Sequence, residues 1–293
     1  MKRTIPAVTA LAASLLSGAA LAQDDVIIVE GERIESRDVR NTARDITEGA
    51  QMMQRPLARF QRDICPGVYG MLEQNAQPIV DRILENAEAA DIPVNSEPGC
   101  DANVWVIVVD DPAATFERLE DERSFMTRHM SPYDKRMVRS QEGPVRAWNV
   151  VSERNREGER VASGFELAAL ANMARADDEP IPANPVSTMS RMQLGIRLDI
   201  ELSVLLVARS ALAEIDAHSL ADYATMRLLA RTAPPSDEDA VDTVLQLFGP
   251  DSGPIRLTAF DRAYLRALYR SNELRPARTA MGSISGLMER VTE

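Results

Sequence analysis

The sequence predicts an α+β fold in which a small mixed sheet is flanked by helices and the C-terminal third is helical. The first observation is the run Val104 to Val109, which is almost continuously β-branched, as expected for a strand covered on both faces. The second is residues 196–208, where apolar and polar side chains alternate as in a strand with one face in water. The third is the helical spacing of apolar residues that follows Ala213.

The N-terminus has the pattern of a secretory signal peptide. Lys2 and Arg3 precede an apolar run, Ala7 to Leu16, and the segment closes on Ala20-Leu21-Ala22, an A-x-A cleavage pattern. The run is shorter than the roughly 20 apolar residues that a membrane-spanning helix needs. We therefore expect residues 1–22 to be removed after Ala22, leaving a chain in the periplasm or the extracellular medium, without a transmembrane segment.

Composition divides the remaining chain into four parts. Residues 23–55 join a β-branched run to a charged stretch and predict a loose N-terminal arm with a short strand. Residues 56–175 predict an α/β N-terminal half. The segment 176–187, ADDEPIPANPVS, is rich in proline and acids and predicts a surface loop. Residues 188–293 predict a strand followed by helices, a half that could form one domain with 56–175.

The two cysteines, Cys65 and Cys100, predict a disulfide bond, because an exported chain meets an oxidising environment. Such a bridge restricts the unfolded chain and should add about 3–4 kcal/mol to the free energy of unfolding. Charge excludes another class of function. The chain has 33 Lys and Arg against 45 Asp and Glu, a net charge of −12, so nucleic acid is not an expected partner.

The N-terminal half begins with a predicted helix just after Cys65, which Pro78 should kink or break. Asp110 and Asp111 follow the strand at 104–109 and could be read as metal-binding carboxylates. The sequence favours a capping role for Asp111, because Pro112 then occupies the first position of a helix.

The same capping pattern recurs at Ser131 and Pro132. The segment NREGE around Gly158 separates two β-like runs and predicts a hairpin.

Four helices are predicted in the C-terminal third. The first spans 217–230, and Ser236 should cap a second helix that ends after Phe248. Thr258 and Asp261 resemble a capping box at the start of the third, with Asp in place of the usual Glu. An amphipathic segment, Pro276 to Val291, predicts the fourth.

Four blocks of the sequence, RDICPGVYG, PGCDANVWVIVVDDP, LADYATMRLLA and LTAFDRAYLRALY, resemble a family of exported alphaproteobacterial proteins of unknown function. The last block, with the small residues near Met281, is also similar to secreted peptidases of the zincin type. This second resemblance implies a zincin-like fold, in which 196–208 is a strand at the sheet edge and the helix 217–230 lies where such peptidases hold their metal.

The chemistry of a zinc peptidase is missing from that helix. It requires two histidines four residues apart, with a glutamate beside the first. Here Asp222 lies four residues after His218, and the other histidine, His129, is 89 positions upstream. We therefore expect no catalytic residues, no metal and no cofactor. The candidate functional surface at this helix consists of Asp216, His218, Asp222 and Tyr223.

Two functional hypotheses remain, because the sequence contains neither a nucleophile elbow nor a glycine-rich phosphate-binding loop. The favoured one is a non-catalytic envelope protein that binds a peptide or protein partner, or serves as a scaffold, on a degenerate zincin-like fold. The alternative is an undescribed hydrolase, a peptidase or glycosidase, that uses carboxylates or a metal held by oxygen ligands.

Overall fold

The structure is a computed structural model that describes residues 34–48, 55–162, 164–176, 193–237, 240–250 and 253–288. The predicted signal peptide lies outside these residues, as does all of the predicted loop 176–187 except Ala176. The β-branched run before Ile34 also lies outside them.

Within the described residues, five strands form one sheet. They are β1 (Ala58–Arg59), β2 (Pro66–Tyr69), β3 (Val104–Val109), β4 (Val145–Arg154) and β5 (Arg197–Ala208). β2 pairs with β3 and β3 pairs with β5, both in parallel, and β1 runs parallel to the first residues of β5. β4 lies antiparallel along the other side of β5. The predicted mixed sheet is confirmed.

Helices cover both faces of this sheet. Those described are α1 (Ser36–Ile46), α2 (Glu73–Ala89), α3 (Pro112–Asp121), α4 (Pro132–Arg139), α5 (Gly164–Ala176), α6 (Ala217–Leu229), α7 (Ala259–Arg270), α8 (Ala277–Met281) and α9 (Ile284–Met288). α2, α6 and α7 belong to the larger apolar core on one face, and α3 and α4 belong to a smaller core on the other. The alternating side chains of β3 contribute to both cores, as its sequence predicted.

The predicted helix starts of this chain are confirmed at three places. The carboxylate of Asp111 accepts a hydrogen bond from the Ala114 N–H and caps α3. Ser131 caps α4 in the same way. Thr258 and Asp261 form a reciprocal capping box at α7. Proline at the first position of α3 and α4 adds a preset backbone angle, which explains why these boundaries could be read from sequence.

The disulfide between Cys65 and Cys100 is present, with 6.2 Å between the two Cα atoms. It joins the residue before β2 to the loop before β3. The hairpin around Gly158 is also formed, because residue 160 bridges back to Arg154 at the end of β4.

Two features near the N-terminus differ from the prediction. The loose arm expected over 23–55 is wrong for residues 36–46, which form α1. Its Val39, Ala43 and Ile46 are buried, and this spacing of one helical turn outweighs the charged residues between them. The helix expected directly after Cys65 starts only at Glu73, because β2 intervenes, and it continues through Pro78 without a break.

β5 also differs from its predicted role. The sequence indicated a strand with one wet face, placed at the sheet edge by the zincin resemblance. The strand lies instead inside the sheet, with β4 on one side and β1 and β3 on the other. From Leu202 to Ala208 both of its faces are buried. The face that the alternation left to water carries Leu205 and Val207 into the larger core, and its Ser203 donates a hydrogen bond to the Leu228 carbonyl of α6.

The helix predicted between Ser236 and Phe248 is wrong. Its described part contains an extended stretch and a short 3₁₀ helix, Val244–Gln246. Tertiary hydrogen bonds hold this chain: the Ser236 N–H and hydroxyl donate to Asp45, and the Thr243 hydroxyl and Val244 N–H donate to Asp261. These bonds use groups that a regular helix would need for itself.

Candidate functional site

The chain connections after β2 and β3 leave the sheet toward opposite faces. β2 leads into α2, whose Ile79 and Ile83 pack in the larger core, whereas β3 leads into α3, whose Phe116 packs in the smaller one. Two neighbouring parallel strands with diverging connections open a crevice at their carboxyl ends, which is where open α/β sheets bind ligands.

A cleft of about 990 Å³ occupies this position, and we call it the sheet-edge cleft. It is lined by residues 68–72 and Asn75 from the β2–α2 connection, by residues 108–111, Ala114, Thr115 and Arg118 from the end of β3 and from α3, and by Arg209 after β5. All three contributing strands are parallel, so their carboxyl ends meet at one edge.

Gly70 brings the β2–α2 connection against β3. Its φ of +88° lies in the left-handed region, and a Cβ at this position would come within 2.2 Å of the carbonyl oxygen of Val108. The carbonyl oxygen of Gly70 accepts a hydrogen bond of 3.1 Å from Nη1 of Arg209. Any other residue at position 70 would therefore push apart the two walls of the cleft.

The cleft carries two arginines and two aspartates. Arg209 lies 3.4 Å from Asp110, whose side chain is 94% exposed. Asp111 is engaged as the cap of α3. The exposed guanidinium of Arg118 has no hydrogen bond or ion pair within the part of the chain that the structure describes. Because a surface ion pair contributes little free energy, both arginines remain available to an anionic group.

Two large apolar side chains stand beside these charges. Tyr69 is 69% exposed and Leu72 is 68% exposed, the highest fractions among the exposed large apolar residues of the described chain. They lie on either side of Gly70 and line the cleft together. Apolar side chains gathered in a concavity with a few polar groups are typical of a ligand site.

The candidate surface that the sequence indicated lies elsewhere, at the N-terminal end of α6. Asp216 caps this helix and accepts hydrogen bonds from the Ser219 N–H, the Ser219 hydroxyl and Arg256. Burial by itself would raise the pKa of Asp216, but these donors outweigh it and lower the pKa to about 2. His218 is exposed in the first turn of the helix.

Asp222 and Tyr223 are not surface residues. The Asp222 carboxylate is buried and accepts hydrogen bonds from Arg82 at 2.7 Å, Asn86 at 2.8 Å and the Leu257 N–H at 3.1 Å. Burial raises its pKa, and these donors more than reverse that effect, so the pKa lies below its usual value. Tyr223 is buried with its ring edge-on to Phe248, 4.9 Å between centroids. The four residues therefore do not form one surface.

Potential metal ligands are dispersed over the described residues, where no group of three or more His, Cys, Asp or Glu side chains could hold an ion. His129 lies before α4, exposed, and accepts a hydrogen bond from Arg128. The expected absence of a metal and of a cofactor stays a prediction. No helix among these residues has the length and apolarity to cross a membrane.

Sequence reasoning missed the sheet-edge cleft because it missed β2. Once residues 66–69 were assigned to a helix, the two strand ends that form the cleft could not be brought together. A signal existed in Gly67 and Gly70, which flank Val68 and Tyr69 and break a helical reading. Arg209 lines the cleft only because β5, which precedes it, lies next to β3 in the sheet. This order of strands could not be predicted from the sequence.

Comparisons of the chain with protein-family models, with curated proteins and with solved structures give no match.

Proposed function

We propose that the protein is an exported, non-catalytic binding protein whose ligand site is the sheet-edge cleft. The observation that carries this proposal is the exposure of Tyr69 and Leu72 beside Arg118 and Arg209, at the carboxyl ends of two strands with diverging connections. Export is supported by the disulfide, which persists in oxidising compartments, and by the leader pattern of residues 1–22.

The chemistry of the cleft favours a peptide segment with an apolar side chain next to a carboxylate. Its volume of about 990 Å³ lies at the upper end of the range of small-ligand pockets, room enough for a few residues. Tyr69 and Leu72 offer apolar contact area, and the planar guanidinium groups of Arg118 and Arg209 suit a carboxylate. These features support the sheet-edge cleft as the place where a peptide or protein partner binds.

The hydrolase alternative finds its best support at the same place, in Asp110 and Asp111. Asp111 is already engaged as the cap of α3, and Asp110 is a 94% exposed carboxylate with one weak contact to Arg209. A catalytic pair needs one group poised to give a proton and another to take it. Two adjacent exposed aspartates at a helix start do not supply that contrast, so binding is favoured.

Affinity selection from a library of short peptides with free C-termini tests the proposal. We expect enrichment of peptides with an apolar residue near a terminal or side-chain carboxylate. In calorimetric titration of a selected peptide, Arg118→Gln should weaken binding by about ten- to a hundredfold, since a hydrogen bond to a charged group contributes about 1.5–3 kcal/mol. Tyr69→Ala with Leu72→Ala should weaken it further.

The matched controls are Arg37→Gln and Ile255→Ala, which remove an exposed arginine and an exposed apolar side chain far from the cleft in the chain. They should bind like the unaltered protein. Two results would refute the proposed site. One is an equal loss of peptide affinity in the control variants, and the other is unchanged affinity of the selected peptides for the cleft variants. Mass spectrometry of the peptides after long incubation decides between the two functions, because cleavage that is lost with Asp110→Asn would favour the hydrolase.

A further inference from the structure

The outer edge of β2 lies beside the sheet-edge cleft. β2 is the last strand on this side of the sheet, and β3 is its strand partner among the described residues. The Val104 N–H donates a hydrogen bond to the carbonyl of Cys65. In a parallel ladder of this register, residues 65, 67 and 69 therefore direct their backbone groups to β3, and the alternate residues Pro66 and Val68 direct theirs away from the sheet.

Three backbone groups on this outer edge have no hydrogen-bond partner in the described part of the chain. They are the carbonyl of Pro66 and both the N–H and the carbonyl of Val68. Proline suits the position, because its nitrogen, which cannot donate, faces away from the neighbouring strand. Both residues are partly exposed. A strand edge with unpaired donors and acceptors is a template for the addition of another strand.

The chain itself adds a short segment to the beginning of the same edge. The Ile64 N–H donates to the Pro93 carbonyl at 3.0 Å, and the Asn95 N–H donates to the Ile64 carbonyl at 2.9 Å, in a parallel arrangement. The Asn95 side chain then accepts a hydrogen bond from the Glu97 N–H, and this turn leads the chain away before it reaches Pro66. The edge of β2 thus accepts a parallel segment and continues beyond it.

We propose that the ligand of the sheet-edge cleft is a peptide with a free C-terminus, which adds to β2 as a short parallel strand. This inference rests on the proposed function and specifies how its peptide is held. A parallel strand ends at the same edge of the sheet as β2 and β3, where the cleft lies. Its terminal carboxylate then enters the cleft beside Arg118 and Arg209. An antiparallel strand would bring an ammonium group there.

The ladder of β2 fixes which peptide residues form hydrogen bonds. The third residue from the C-terminus donates its N–H to the Pro66 carbonyl and accepts from the Val68 N–H, and the last residue donates to the Val68 carbonyl. These two peptide residues lie beside Gly67 and Tyr69, whose partners in β3 are partly exposed apolar residues. The last residue of the peptide should therefore be apolar.

The charges around the edge indicate where the ligand carries its carboxylate. The exposed guanidinium of Arg118 has no partner in the described residues, whereas Arg209 lies 3.4 Å from Asp110. Exposed acids lie at other points of the edge, with Asp63 before β2 and Glu73 at the start of α2. They oppose further acidic side chains on the peptide. The terminal carboxylate beside Arg118 is thus the favoured negative charge.

Two other occupants match this edge less well. A second copy paired through β2 would share a strand of four residues, whereas stable interfaces bury about 1,200–2,000 Å² in total. The β-branched run 26–29 of this chain lies outside the described residues. Because this run is internal to the chain, it brings no terminal carboxylate to Arg118.

N-methylation of the backbone of a selected peptide tests the pairing. Methylation of the last residue, or of the third from the end, should weaken binding by at least about tenfold, because it removes a hydrogen bond and places a methyl group against β2. The matched control is methylation of the residue before the last. It should change the affinity by less than about twofold, because this N–H points away from β2. Amidation of the C-terminus should weaken binding as much as Arg118→Gln does.

Hydrogen exchange provides a second measurement, made on the protein. Without peptide, the Val68 N–H should exchange faster than the N–H groups of Gly67 and Tyr69, which belong to the ladder with β3. Saturating peptide should slow the exchange of Val68 by about tenfold or more, since its N–H then has an acceptor.

Three results would overturn the parallel strand: equal effects of N-methylation at all three peptide positions, no effect of amidation, or unchanged exchange at Val68. If the peptides still bind and depend on Arg118, the proposed function stands without this inference. Failure of all peptides to bind overturns both. Protection of Val68 that rises with protein concentration would assign the edge to a second copy. Protection in the free protein that is lost in Ile27→Asp with Ile28→Asp would assign it to the run 26–29.

Discussion

The region of α6 and the sheet-edge cleft each contain two aspartates and two arginines. The two regions differ in how many hydrogen-bond and ion-pair partners these charged groups have. At α6 the buried Asp222 has three donors, and the exposed Asp216 has Ser219 and Arg256. In the cleft, Asp110 has a single long contact to Arg209, and Arg118 has none in the described residues. Burial and hydrogen-bond partners, rather than residue type, separate a structural cluster from one open to a ligand.

The difference has an energetic consequence. A buried carboxylate whose lone pairs are all occupied cannot release its partners to a ligand without a large cost in desolvation. Exposed charges in a weak ion pair can exchange partners at almost no cost. Asp216 and Asp222, the acids of the candidate surface predicted from the sequence, therefore stabilise the fold. The arginines of the cleft remain able to bind a ligand.

The largest expected effect is at Asp222. Asp222→Ala should lower the free energy of unfolding by about 3–5 kcal/mol, because it removes the buried partner of the Arg82 guanidinium and leaves the Leu257 N–H buried without an acceptor. Urea denaturation measures this loss. Asp110→Ala is the matched variant in the cleft and should change stability by less than about 0.5 kcal/mol. Similar losses in both variants would remove the distinction between the two regions.

The next effect concerns the wall of the cleft. Gly70→Ala should cost about 3 kcal/mol, because the left-handed backbone conformation and the contact with the Val108 carbonyl both oppose a Cβ. Gly143→Ala separates the two causes, since Gly143 has a φ of +74° and open space around it. That variant should cost about 1 kcal/mol. Equal costs, measured by thermal or urea unfolding, would mean that the approach of position 70 to β3 is looser than described.

How much of this could be predicted from the sequence depends on the range of the interactions. Asp111, Ser131 and Thr258 were identified as helix caps because a cap is decided within four residues. The strand 104–109 is predictable because a nearly continuous β-branched run of this length is typical of a strand covered on both faces. The position of β5 inside the sheet, and hence the burial of both its faces, is decided by strands far away in the chain.

The candidate site shows the same limit. The sequence around Asp222 does not indicate that Arg82 and Asn86, which lie 140 and 136 residues earlier, donate hydrogen bonds to it. These bonds make Asp222 a structural residue rather than a functional one. Tyr69 and Leu72 were equally unremarkable, because exposure is a property of the assembled surface. Local features such as helix caps can therefore be predicted from the sequence. Whether a charged residue has a structural or a functional role depends on the residues that surround it in the folded protein.

The smallest effect, at Asp216, connects the two regions, because this residue is both a cap and half exposed. Asp216→Ala should cost about 1 kcal/mol at neutral pH through the lost cap. The folded protein holds the pKa of Asp216 at about 2, below the unfolded value of about 3.9. The charge-dependent part of its contribution is therefore complete above about pH 4 and is lost as the pH falls toward 2.

Asp216→Asn tests this reasoning, since an amide keeps the capping acceptor but cannot ionise. At neutral pH the Asn variant should be more stable than the Ala variant. Between pH 4 and 2, the difference between the unaltered protein and the Asn variant should shrink, because protonation of Asp216 removes the charge that attracts Arg256. Urea denaturation at several pH values measures both differences. A constant difference over this range would mean that Arg256 and Ser219 do not favour the carboxylate, and Asp216 would then resemble the exposed aspartates of the cleft.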